Sequence, residues 1–260
     1  MPSDSTSSNV WSQGPDKFTL ARGQVHIWRL SLDPHPAGQD QALLALLGGH
    51  RSALSSDEVA RASRFHFDTD RARFELCRTA LRFLLGRYQS IPPREIRFTY
   101  SAAGKPELAA DQNPQALRFN VSHSDNTALI AIGLHDALGV DIEKIRLDVN
   151  ATELSERFFS ERERSALRYL PEAVRITAFY ACWARKESFL KATGDGLGFP
   201  LSAFSVSVDP DQKPHIEEIN GDAASAQHWT LLDLDAAPGF RASVAIECNG
   251  ASIATFALYV

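Results

Sequence analysis

This chain is short of cysteine, of net charge and of long apolar runs. Its three cysteines are Cys77, Cys182 and Cys248. They are odd in number, far apart and never arranged as CxxC. That excludes a disulfide framework and a zinc knuckle, and it points to a reducing, cytoplasmic compartment. Cys77 and Cys182 fall in helical apolar patterns and read as small core residues. The net charge is −5 over 260 residues, which gives no global pull toward nucleic acid or an anionic membrane. No apolar run reaches ~18 residues, so no membrane span is expected. The opening MPSDSTSSNVWSQGP has neither a basic nor an apolar region and does not read as a secretory signal. Residues 1–15 are expected to form a disordered tail. A P-loop and a GxGxxG turn are missing too, which disfavours the familiar nucleotide folds. So is a GxSxG elbow, which weakens any Ser-His-Asp hydrolase reading.

What is present suits a globular protein. The chain is 44% hydrophobic and 23% charged, enough for a sizeable core in one large domain or two small ones. VHIWRLSL at 25–32 reads as a strand. Ser55 with Glu58 offers a capping box for a short helix. A longer helix over 70–85 buries Phe74, Cys77, Leu81, Leu84 and Leu85, with Gly86 placed to end it. IRFTY, LRFNV, TALIAIGL and ALGVDIEKI follow as strands, with SHSDN and HD as turns. The plan then repeats loosely. Ser160 and Glu163 form a second capping box. Pro171 starts PEAVRITAFYACWARKESFLKAT, which Gly194 ends. FSVSV, HWTLLDL, FRASVAIE and ASIATFALYV are strand-like. The expected fold is α+β (α/β), with two similar halves at 16–147 and 148–260. Each half is a long helix on a mainly antiparallel sheet, and a site is expected between them.

Four segments carry chemistry. In GVDIEKIR, Leu138, Val140 and Ile142 point to one face of a strand and Asp141 and Glu143 to the other. Two carboxylates ~7 Å apart along one face can share a hard cation such as Mg²⁺. The plain alternative is a solvated face with Lys144 and Arg146 as loose partners. In WARKESFLK, Trp183, Glu187 and Lys191 are successive helical neighbours, with Lys186 beside them. They supply a third carboxylate and two cations, or only an ordinary ion pair under a core tryptophan. FNVSHSD places His123 between Ser122 and Ser124 just past a strand, as a phosphate donor or a surface cap. GKPEL leaves Lys105 at a turn tip. The 70–85 helix carries Arg71, Arg78 and Arg82 at steps of seven and four, with Arg73 on another side and Arg64 just before it; arginine suits phosphate, although a solvated face is the simpler reading.

GKPEL, FNVSHSD, GVDIEKIR and WARKESFLKATGDGL occur together in that order. The set resembles the phosphopantetheinyl transferases of the surfactin-synthetase-activating type, over roughly residues 55–210. The resemblance implies transfer of the 4′-phosphopantetheine arm of coenzyme A to a serine of an apo acyl or peptidyl carrier protein. Adenosine 3′,5′-bisphosphate would be released. It implies Mg²⁺ on Asp141, Glu143 and Glu187, with Glu187 also the candidate base. Phosphate-facing roles would fall to Lys186 and Lys191. Coenzyme A contacts would fall to Lys105, Ser122 and His123, and less surely to Arg64, Arg73 and Arg78. The implied fold is a monomer of two pseudo-symmetric halves with coenzyme A in the cleft. Phe158, Phe159, Leu167 and Leu170 offer carrier contacts, or belong to the core. A Mg²⁺-dependent pyrophosphohydrolase of coenzyme A or a nucleotide would use the same site. A non-catalytic binder would have little need for three carboxylates.

Overall fold

A computed structural model describes residues 11–15, 17–33, 53–135, 137–194 and 196–258. Along the chain come β1 (Gln24–Ser31), α1 (Ser56–Ala62), α2 (Asp68–Gln89), β2 (Phe98–Tyr100), β3 (Pro106–Leu108), β4 (Arg118–Ser124), β5 (Thr127–Gly133) and β6 (Leu138–Lys144). Then come α3 (Ala151–Phe158), α4 (Glu161–Tyr169), α5 (Glu172–Thr193), β7 (Phe204–Val206), β8 (Ile216–Ile219), the one-turn α6 (Ala223–Ala226), β9 (Thr230–Leu234), β10 (Phe240–Ile246) and β11 (Ser252–Ala257).

Local chemistry explains the helix ends. Glu58 accepts the Ser55 amide at 3.0 Å and Glu163 accepts the Ser160 amide at 2.9 Å, so both capping boxes form. Gly194, at φ 78, closes α5 in the left-handed region. Gly86 does not end α2, contrary to expectation. The helix continues to Gln89, and Ser90 takes the left-handed turn at φ 56. A Cβ on Gly86 would press on the Ile91 carbonyl. The glycine there permits close return of the chain rather than a stop.

Two sheets form the centre. One has the order β11-β1-β5-β4 and the other β6-β10-β9. Pairing is antiparallel except where β11 runs parallel to β1. β5 is buried along its whole length because both of its faces are covered. Ala128, Ile130 and Ile132 face the core under α2 with Leu81, Leu84 and Leu85. Leu129 and Ala131 face the other way, toward Val140, Ile142 and Val244 of the second sheet. α5 packs Phe179, Cys182 and Phe189 against Phe204, Leu231 and Ala245. The layers therefore run helix, sheet, sheet, helix. Each buried leucine or isoleucine in them contributes ~1.5–3 kcal/mol.

The halves interlock in space. β6, counted with the first half, pairs with β10, while β11 returns to the first sheet. Residues 1–10 of the expected tail lie outside the described residues. Trp11 and Ser12 are packed: Trp11 Nε1 donates to the Asp235 carbonyl at 2.6 Å, and the Ser12 amide to the Thr255 carbonyl at 3.1 Å. Cys77 and Cys182 are buried, as expected of core residues. Among the described residues no helix is long and apolar enough to cross a membrane.

Candidate active site

One glycine sets the approach of α5 to β6. A Cβ on Gly139 would overlap the Ser188 carbonyl and the Ala192 amide nitrogen of α5. With only hydrogen there, the helix lies directly on the strand. Asp141 and Glu143 of β6 are thereby brought beside Glu187 and Lys191 of α5.

Asp141 is buried at 2% exposure. Its Oδ1 accepts from Lys191 Nζ at 2.6 Å and from Ser122 Oγ at 2.9 Å. Its Oδ2 is buried with no hydrogen-bond partner. Glu143 Oε2 accepts from Ser124 Oγ at 3.1 Å. Burial first, and then the Asp141 carboxylate, push the Glu143 pKa up to about 7. Burial and Asp141 also raise Glu187, against the pull of Lys191. Glu187 and Lys191 line a cavity of about 450 Å³ with Asn120, Val121, Phe158 and Phe199. One wall is charged and the rest is largely apolar, the pattern of a ligand site.

Among the described residues no three His, Cys, Asp or Glu side chains are gathered into a ready-made metal cage. The donor set still suits a hard cation. Asp141 holds an unpartnered buried oxygen. Burial, and then its charge, push both glutamates toward the neutral form, a strain that a divalent cation relieves.

The profile of the 4′-phosphopantetheinyl transferase superfamily matches residues 137–246, and that of the N-terminal region of 4′-phosphopantetheinyl transferases matches 46–135. The 4′-phosphopantetheinyl transferase HetI of Nostoc sp. is 37% identical over 242 residues, covering 93% of this chain and 95% of the relative. Sfp of Bacillus subtilis, also a 4′-phosphopantetheinyl transferase, is 32% identical, covering 74% and 82%. The chain belongs to the 4′-phosphopantetheinyl transferase family.

Within this family framework, several of the residues expected to contact coenzyme A are held by other protein groups. Lys186 is one of them. It is fully buried and donates to Glu163 Oε1 at 2.6 Å, Glu163 Oε2 at 2.8 Å and the Phe204 carbonyl at 2.7 Å. Those bonds use all three of its ammonium protons. Lys105 reaches the cavity wall, but its Nζ donates to the carbonyls of Lys191 at 2.5 Å, Ala192 at 3.1 Å and Leu138 at 3.2 Å. It caps the C-terminus of α5, where a cation is favoured. Burial lowers its pKa to about 8. Ser122 donates to Asp141 Oδ1 and accepts from Lys191 Nζ. Arg78 and the buried Arg82 both bind Glu58 at 2.6 Å, and the Arg78 guanidinium lies over the Phe98 ring. That cluster holds α1 against α2.

His123 lies in β4 rather than in a turn, and only Asp125 and Asn126 make the hairpin bend. His123 is exposed, yet surrounding protein atoms lower its pKa, with the Lys191 and Arg73 cations adding to the effect. Arg73 pairs with Asp33 at 3.2 Å and Asp125 at 3.4 Å. Arg73, His123 and Lys191 thus share one electrostatic neighbourhood. Arg64 stands exposed just past α1. Phe159 and Leu167 belong to the core, whereas Phe158 and Leu170 are half-buried. Sequence reasoning assigned no role to Ser124 or Asn120. Their signal was the alternation of N, S and S in FNVSHS.

Proposed function

We propose that this protein transfers 4′-phosphopantetheine from coenzyme A to a serine of an apo acyl or peptidyl carrier protein, releasing adenosine 3′,5′-bisphosphate. The observation that supports this best is the meeting of Asp141 and Glu143 with Glu187 and Lys191, of which the last two line the cavity, with Asp141 Oδ2 unpartnered. The serine oxygen forms a bond to the phosphorus that bears pantetheine. The bond from that phosphorus to the bridging oxygen breaks, and the electron pair leaves with the adenosine-side phosphate.

Such chemistry rests on positioning and charge neutralisation. Asp141, Glu143 and Glu187 are the residues that would hold Mg²⁺. When bound there, Mg²⁺ supplies positive charge to the pyrophosphate oxygens. Lys191, His123 and Arg73 supply the protein's own donors to the phosphates. Glu187 takes the serine proton, a role its raised pKa suits. The apolar wall formed by Val121, Phe158 and Phe199 accommodates the pantetheine arm. The protein works as a monomer in the cytoplasm.

Intact-mass measurement of an apo carrier protein with coenzyme A and Mg²⁺ tests this. The expected result is one phosphopantetheine added per carrier, dependent on both small molecules. Consumption of coenzyme A at equal rate without carrier would contradict it.

A further inference from the structure

β4 and β6 are the facing edges of the two sheets, and no main-chain pairing joins them. An edge strand presents a row of unpaired amides that must find partners. On β6 three of these are the amides of Val140, Ile142 and Lys144. Each is taken by a side chain of β4. The Val140 amide donates to Asn120 Oδ1 at 2.9 Å, that of Ile142 to Ser122 Oγ at 3.4 Å and that of Lys144 to Ser124 Oγ at 3.0 Å. The offset is the same at every rung, 20 residues. The two strands therefore run in the same direction in a single locked register.

The residue types at the rungs differ for a reason. A serine hydroxyl can accept a backbone amide and still donate its own hydrogen bond. Ser122 donates a hydrogen bond to Asp141 Oδ1, and Ser124 donates one to Glu143 Oε2. Asn120, at the rung beside Gly139, has no carboxylate to orient. A slip by one residue would turn both carboxylates to the opposite face.

We propose that Asn120, Ser122 and Ser124 form a side-chain ladder that replaces strand pairing between the sheets, and that Ser124 is the positioning residue for Glu143. Ser124 acts through the carboxylate and touches no substrate. This inference rests on the reading of Glu143 as a Mg²⁺ ligand.

The test is Mn²⁺ binding to the full-length protein in the presence of coenzyme A, followed by the electron paramagnetic resonance of free Mn²⁺. Ser124→Ala, Ser124→Cys, Ser124→Thr and Glu143→Gln are compared with wild type, each with its melting temperature. Ser124→Ala and Ser124→Cys weaken Mn²⁺ binding ~10–100-fold, the usual loss for a partner that orients a ligand. They also raise the Mg²⁺ concentration for half-maximal transfer more than they lower kcat. Ser124→Thr keeps the hydroxyl and restores binding. Wild-type affinity in both Ser124→Ala and Ser124→Cys, beside weakened binding in Glu143→Gln, overturns the inference alone. Unchanged affinity in Glu143→Gln overturns the ligand assignment and the inference with it.

Discussion

Helix α5 carries two lysine–carboxylate pairs little more than one turn apart, and they are built differently. Lys186 and Glu163 make a closed node. Lys186 spends all three protons, and Glu163 also accepts the amides of Ser160 at 2.9 Å and Val206 at 2.8 Å. Lys191 and Asp141 make an open one. Lys191 is partly exposed, Asp141 keeps an unpartnered buried oxygen, and two further carboxylates crowd in. A saturated buried pair ties elements together, here α4, α5 and β7. An under-satisfied cluster beside a cavity stores unfavourable charge that a ligand can relieve.

Disrupting the closed node gives the largest effect. Lys186→Ala leaves a buried carboxylate without its cation and costs ~3–5 kcal/mol. Urea denaturation reads that loss directly. Pairing Lys186→Met with Glu163→Gln recovers part of it, because neither side chain is then charged.

The open node responds to pH instead. Burial and then the Asp141 carboxylate push the Glu143 pKa up to about 7 in the folded protein, above the ordinary glutamate value of 4.5. Between those values the folded protein holds a proton that the unfolded chain has lost, so metal-free stability falls as pH rises through that window. Glu143→Gln flattens this slope. A cation binds the ionised form, so transfer at low Mg²⁺ rises with pH through about 7. Higher Mg²⁺ moves the midpoint down. A pH–rate series at two Mg²⁺ concentrations checks both signs.

Smaller effects follow at Lys105 and Asp141. Lys105→Met uncovers the carbonyls at the end of α5 and lowers stability by ~1 kcal/mol, seen by thermal melting. Asp141→Asn keeps Oδ1 as an acceptor and removes a charge that opposes Glu143 and Glu187. Its melting temperature stays close to wild type, the reverse of Lys186→Ala.

Local chemistry was legible in the sequence. The two capping boxes, Pro171 and Gly194 placed helix ends where the structure has them. Period-two alternation put Asp141 and Glu143 on one face of β6. α3 was missed although Asn150 and Glu153 carry a capping signature, and the Asn150 side chain does accept the Glu153 amide at 3.2 Å. What stayed hidden shares a cause. Arg78 and Lys186 have carboxylate partners in other helices, Glu58 and Glu163, and nothing local marks either pair as buried. Gly86 and Gly139 are needed for what packs against them, the Ile91 carbonyl and α5, and composition alone does not show a neighbour. Ser122 and Ser124 look like turn residues until β6 is laid beside them.

The contrast between the two nodes comes down to one assay. Apo carrier protein, coenzyme A and Mg²⁺ are incubated with wild type, Asp141→Asn or Glu187→Gln, and the carrier is weighed by mass spectrometry. Both variants fold, and transfer falls at least ~10²-fold, the scale of losing one preorganised electrostatic group. Wild-type rates in either folded variant would contradict the account and move the chemistry away from the open node.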